Sequence, residues 1–84
     1  MEPKSNYPIS YQGKLTQLAI HKVDSSGISN VTLEFNNSVL YPEVPVALPY
    51  NVKIGNNYIL YRVDEPASGI LSSSTRKYYI LVAN

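Results

Sequence analysis

The run SYQGKLTQLAIHKVDSSGISNVTLEF, from Ser10 to Phe35, constrains the fold more than any other stretch of this chain. It reads as a long first strand, Ser10 to Val23, then a glycine-containing turn and a shorter second strand. Gly13 stands near the start of the first strand, where a missing Cβ lets the backbone bend or bulge sharply. A long bent strand can serve two sheets. In the turn Asp24-Ser25-Ser26-Gly27, residues that bond their own backbone precede one that accepts positive φ, so the chain reverses there. In the partner strand Val31, Leu33 and Phe35 point one way while Asn30, Thr32 and Glu34 point the other, the alternation of a half-buried strand.

Downstream, Asn36-Asn37 predicts a tight turn, because asparagine tolerates left-handed backbone. Ser38 to Tyr41 follows as a short third strand. The segment YPEVPVALPY then places prolines at 42, 45 and 49, too close together for a helix or a paired central strand, and is expected to be a structured crossover. Val44, Val46 and Leu48 alternate within it, and they either plug the core or offer an apolar surface to a partner. Lys53-Ile54-Gly55-Asn56 leads through a glycine turn into a fourth strand, Tyr58 to Val63. There Ile59, Tyr61 and Val63 face one side, with Tyr58, Leu60 and Arg62 on the other. Asp64 to Thr75 reads as a long loop, and RKYYILV, Arg76 to Val82, as the closing strand. The expected architecture is all-β, a small five-stranded barrel over residues 9–84, preceded by an extended arm, residues 1–8, that Tyr7 anchors.

Composition narrows the function. The chain has 84 residues, no cysteine and one histidine, His21, so it has no disulfide framework and no common zinc site. No metal or other cofactor is expected. Its 7 basic and 6 acidic residues nearly balance, which argues against coating nucleic acid by counterion release. No apolar run approaches the roughly 20 residues that span a bilayer, and the N-terminus lacks the apolar centre of a signal peptide, so a soluble, cytoplasmic protein away from membranes is expected. Catalytic constellations are missing too. His21 has no partner set in the sequence, Asp64-Glu65 would point to opposite sides of an extended chain, and Ser72 to Ser74 lacks the setting of a nucleophile elbow. The chain reads as a binding protein and not as an enzyme.

Two sets of candidate binding residues emerge. Tyr11, Lys14, Tyr61, Arg62, Arg76, Lys77 and Tyr78 interleave cations with aromatic rings, the chemistry that grips DNA or RNA single strands. Tyr41, Val44, Val46 and Tyr50, among the prolines, offer rigid contact area to a protein partner, and the strand edge near Ser38 to Tyr41 could add to a partner's sheet.

The order of these elements, from a glycine-bent strand through the crossover to a fifth strand after a loop, resembles the OB-fold, a five-stranded Greek-key barrel. Gly13-Lys14, Leu40-Tyr41-Pro42 and Lys53-Ile54-Gly55-Asn56 are similar to segments of the small OB-type subunit eight of archaeal RNA polymerases. The chain's size and lack of catalytic residues resemble the small accessory subunits that bind crenarchaeal B-family DNA polymerases. The resemblance implies a non-enzymatic accessory subunit docked on a larger protein, a polymerase of replication or transcription. A direct single-strand binder and a small viral or structural assembly protein are the alternatives.

Overall fold

A computed structural model describes residues 7–25, 27–66 and 75–84. Five strands, β1 (Ile9–Val23), β2 (Ser29–Phe35), β3 (Val39–Ala47), β4 (Asn57–Pro66) and β5 (Thr75–Ala83), close into a barrel in the order β1-β2-β3-β5-β4. Among the described residues only β3 and β5 run parallel, and this order makes the barrel OB-like. Among the described residues no helix is long and apolar enough to cross a membrane.

β1 serves two partners. Ile9 to Lys14 pairs with β4, and Leu15 to Val23 pairs with β2. The change of partner occurs at a bend that two turns clasp. From the β2–β3 turn, the Asn36 N–H donates to the Lys14 carbonyl at 2.8 Å, and the Asn36 Oδ1 accepts from the Lys14 N–H at 3.1 Å. From the turn before β4, the Gly55 N–H donates to the Leu15 carbonyl at 2.8 Å, and the Asn56 carbonyl accepts from the Leu15 N–H at 3.0 Å. The expected turns form as their residues require: Asn36 and Asn37 are left-handed at φ 52° and 57°, and Gly27 and Gly55 have φ of 92° and 99°.

The core is wholly apolar. Leu15, Val31, Leu33, Phe35, Val46, Tyr58, Leu60 and Leu81 form one cluster, and among the described residues no polar or charged side chain is buried. Leu48 and Val52, in the connection from β3 to β4, pack against it. The Lys53 N–H donates to the Tyr58 hydroxyl at 2.8 Å, so this core tyrosine also holds the connection in place.

Three expectations are corrected. The proline-rich segment is not a crossover outside the sheet, because β3 continues through Pro42 and Pro45 to Ala47, with Pro45 opposite Asn30. A bulge makes this possible: Pro42 and Glu43 together oppose Thr32, and Glu43 takes φ 48°. The expected loop from Asp64 to Thr75 is shorter, since Asp64, Glu65 and Pro66 belong to β4 and Thr75 to β5. Val46, placed in a partner-binding set from sequence, is fully buried in the core. Residues 1–6 of the expected arm, and Ser72 to Ser74, lie outside the described residues.

Gly13 lies where the bend is tightest. A Cβ there would stand 2.6 Å from the Asn36 Nδ2 and 2.9 Å from the Tyr11 ring. The Asn36 side chain is not free to yield, since its Nδ2 donates to the Tyr11 hydroxyl at 2.8 Å while its Oδ1 holds the Lys14 N–H. Gly13→Ala is expected to destabilise the barrel by about 1–3 kcal/mol in urea denaturation, as overpacking does. The double variant Gly13→Ala, Asn36→Gly is expected to lose less than the sum of the two single losses, because the second change removes the clashing atoms. Strict additivity would show that the clash is absorbed elsewhere.

Candidate binding cleft and apolar outer face

The β4–β5 hairpin is longer than the barrel wall. It pairs from Tyr58 opposite Ala83 out to Pro66 opposite Thr75, whereas β1 accompanies β4 only as far as Tyr61. β3 joins β5 only through Val46 opposite Tyr79 and Ala47 opposite Ile80. Past those contacts the hairpin leaves the barrel as a two-stranded ribbon. The Arg62 N–H still reaches the Pro8 carbonyl at 2.9 Å.

The ribbon's two faces follow from strand alternation. Its inner face begins in the core with Tyr58, Leu60 and Leu81, and continues at the rim as Arg62 opposite Tyr79 and Asp64 opposite Lys77. The opposite face carries the half-buried, uncharged pairs Ile59–Val82 and Tyr61–Ile80, then Val63 opposite Tyr78, where Val63 is fully buried and Tyr78 borders the cleft, and the register continues it as Glu65 opposite Arg76. Exposed Ile9 lies beside Tyr61, and Ala47 beside Ile80.

A cleft of about 240 Å³ opens where β3 and β5 separate, lined by Val44, Pro45, Arg62, Asp64, Lys77, Tyr78 and Tyr79. Arg62 Nε lies 3.4 Å from Asp64 Oδ2, an exposed pair that contributes little stability but offsets the one acidic group in the cleft. Tyr79 ends a line of rings that crosses the barrel. Tyr11 and Phe35 lie 5.2 Å apart, Phe35 meets Tyr41 edge-on at 6.0 Å, and Tyr41 meets Tyr79 edge-on at 5.7 Å. The Tyr41 hydroxyl shares a 2.9 Å hydrogen bond with Ser10 Oγ.

The nucleic-acid set from sequence is therefore split. Arg62, Lys77 and Tyr78 meet at the cleft. Tyr11 is half-buried on Phe35, Lys14 stands at the clasped bend, and Tyr61 belongs to the outer apolar face. For Arg76 the structure describes only the backbone, opposite Glu65. In the protein-binding set, Tyr50 is fully exposed, Val44 lines the cleft and Tyr41 is half-buried within the ring line. The apolar outer face went unassigned in sequence, although the alternation of Ile59, Tyr61 and Val63 was its signal.

His21 has a structural partner. Its Nε2 lies 2.7 Å from Thr32 Oγ1, and that hydroxyl also accepts from the Glu43 N–H at 3.1 Å. Thr32 thus links a bulge on β1, at His21, with the bulge on β3 that shapes one wall of the cleft. A second depression, of about 340 Å³, lies at the β1–β2 turn between Lys22, Asp24 and Pro45. Among the described residues no three His, Cys, Asp or Glu side chains gather as metal ligands.

Fold and site together define a small OB-like barrel with a cationic cleft and an apolar outer face. No protein-family model, curated protein or solved structure matches the chain.

Glu43 holds a left-handed conformation unfavourable to a side chain by about 1–2 kcal/mol. Glycine removes that strain and adds about 0.5–1 kcal/mol of entropy cost. Glu43→Gly is therefore expected to raise stability by about 0.5–1 kcal/mol in thermal or urea unfolding. A clear loss would show that the glutamate side chain, and not the backbone alone, maintains the bulge.

Proposed function

We propose that this chain is a non-enzymatic accessory subunit that docks on a larger protein through the outer face of the β4–β5 hairpin. The observation that carries this reading is the half-buried, uncharged pairs Ile59–Val82 and Tyr61–Ile80 on the outside of a closed barrel, with exposed Ile9 beside them. The outside of an antiparallel sheet is ordinarily polar where it meets water. The outer side of β1 and β2 keeps that rule, with Gln17 opposite Glu34 and Ala19 opposite Thr32. The hairpin does not.

Patch size favours a larger partner over a second copy. At about 3.3 Å per residue and 4.8 Å between strands, five residues across four strands cover roughly 300 Å². A stable interface needs about 800 Å² per partner. Two copies packed flat on this face would fall short, which counts against self-assembly. A groove that takes both the face and the projecting ribbon supplies the remainder, with the apolar patch as the interface core. The resemblance to small polymerase subunits makes a DNA or RNA polymerase the first partner to try. Direct binding of single strands has less support, because the cations and rings expected to share one surface are spread over three.

Purified RNA polymerase core and B-family DNA polymerase are each to be mixed with the chain and resolved by size exclusion. The wild type is expected to co-elute with one of them, and Ile80→Lys to weaken the complex at least about thirtyfold, the loss typical of an interface hot spot. Circular dichroism is expected to show that variant folded, since Ile80 is only half-buried and faces outward. Co-elution unaffected by Ile80→Lys, or none with either polymerase, would remove the support for this reading.

A further inference from the structure

We infer that two copies of this chain pair through the open edge of β1, antiparallel about a two-fold axis at Ala19, and form a weak, reversible dimer. β1 bonds to β4 and the turn before it only as far as Leu15. Beyond Leu15 it pairs with β2 alone, and among the described residues nothing pairs with its other edge. Strand alternation shows which backbone groups that edge presents. Lys14 bonds toward Asn36 and Asp24 toward Ile28, both on the β2 side, while both groups of Leu15 bond toward the turn before β4. The two register shifts between these points each insert one residue, Thr16 and His21. Gln17 and Ala19 therefore bond β2, and the N–H and C=O of Leu18 and Ile20 point to the open edge. The edge expected from sequence, near Ser38 to Tyr41, is a poorer template, because Pro42 follows it and has no N–H to donate.

A second copy fits this edge in one register. With Ala19 opposite Ala19, Leu18 of one copy meets Ile20 of the other twice, and each meeting is a pair that exchanges two backbone hydrogen bonds. The same register sets leucine against isoleucine and covers Ile20, a large apolar side chain that is 52% exposed. The Ala19 pair lies between them on the outer face, where opposed strands approach most closely and a methyl group suits the space. Charge does not oppose the pairing. From Gln17 to Ile20 the edge carries neither proline nor a charged residue, the usual protections of an edge strand. Lys22 falls toward Thr16 of the other copy, so the two lysines stand at opposite ends. The bulges at Thr16 and His21 limit the regular stretch to four residues. So short a contact belongs to the weak class of interfaces, which bury less than about 1,200 Å². It also closes, since each copy has one such edge and uses it once.

The dimer rests on backbone bonds at β1 and stands apart from the docking reading, whose outer face is too small to hold two copies. Sedimentation of the full chain from about 10 μM to about 1 mM is expected to show a monomer–dimer equilibrium. Ala19 is exposed, so Ala19→Lys and Ala19→Glu are expected to fold as the wild type does by circular dichroism. Each is expected to weaken the dimer at least about tenfold, because like charges then face each other across the axis. An equimolar mixture of the two variants is expected to associate at least as tightly as the wild type. Ile80→Lys is expected to leave the equilibrium unchanged, which separates this test from that of docking. In the wild type, amide hydrogen exchange at Leu18 and Ile20 is expected to slow as concentration rises, a sign of strand pairing that other modes of association would not give. A monomer over the whole range, a dimer without that protection, or variants of Ala19 that associate alone as well as they do together would each overturn the inference.

Discussion

Everything else in the barrel depends on how β1 bends. A strand that pairs first with β4 and then with β2 must change direction while keeping its backbone bonded, and each irregularity exposes polar groups that need partners. β1 answers with short polar side chains at its register shifts. Ser10 bonds the Tyr41 hydroxyl, and His21 bonds Thr32. At the central shift the Thr16 hydroxyl donates to the Glu34 carbonyl at 3.0 Å and accepts from the Asn37 N–H at 3.1 Å. The bulges are thus held by defined hydrogen bonds, and both strand neighbours are locked in register by the same residues that bend the chain. Each such bond is worth roughly 0.5–1.5 kcal/mol, a modest amount singly that matters in a domain with a core this small.

That geometry also creates the cleft and the hairpin's two faces. Because β1 begins at Ile9, opposite Tyr61, and β3 joins β5 over only two residue pairs, β4 and β5 run on together past the strands that flank them. A perfectly cylindrical barrel would have no edge and no notch. The ribbon's inner face changes from leucine and tyrosine to arginine, aspartate and lysine at the rim, as expected where a strand passes from core to water. Its outer face stays uncharged through Tyr61–Ile80 and Val63–Tyr78 and reaches charged residues only at Glu65 opposite Arg76, so the two sides of one hairpin pass from apolar to charged at different points.

Much of this was legible in residues whose backbone demands are local. Gly13 at a bend, Asn36-Asn37 in a left-handed turn and glycines at 27 and 55 each report a conformation that few other residues adopt, so strand number and turn positions could be read from the sequence. β3 was cut short because proline was read as unable to pair, whereas Pro45 needs no N–H toward an edge that has no neighbour. The eight tyrosines were harder. A ring with a hydroxyl suits core, rim or surface, and only the tertiary pairing separates Tyr58 in the core, Tyr11, Tyr41 and Tyr79 in the ring line, Tyr78 at the cleft and Tyr61 on the outer face. Val46 shows the same limit. Its alternation with Val44 and Leu48 was visible, but which side faced the core depended on its pairing with Tyr79, a contact 33 residues away.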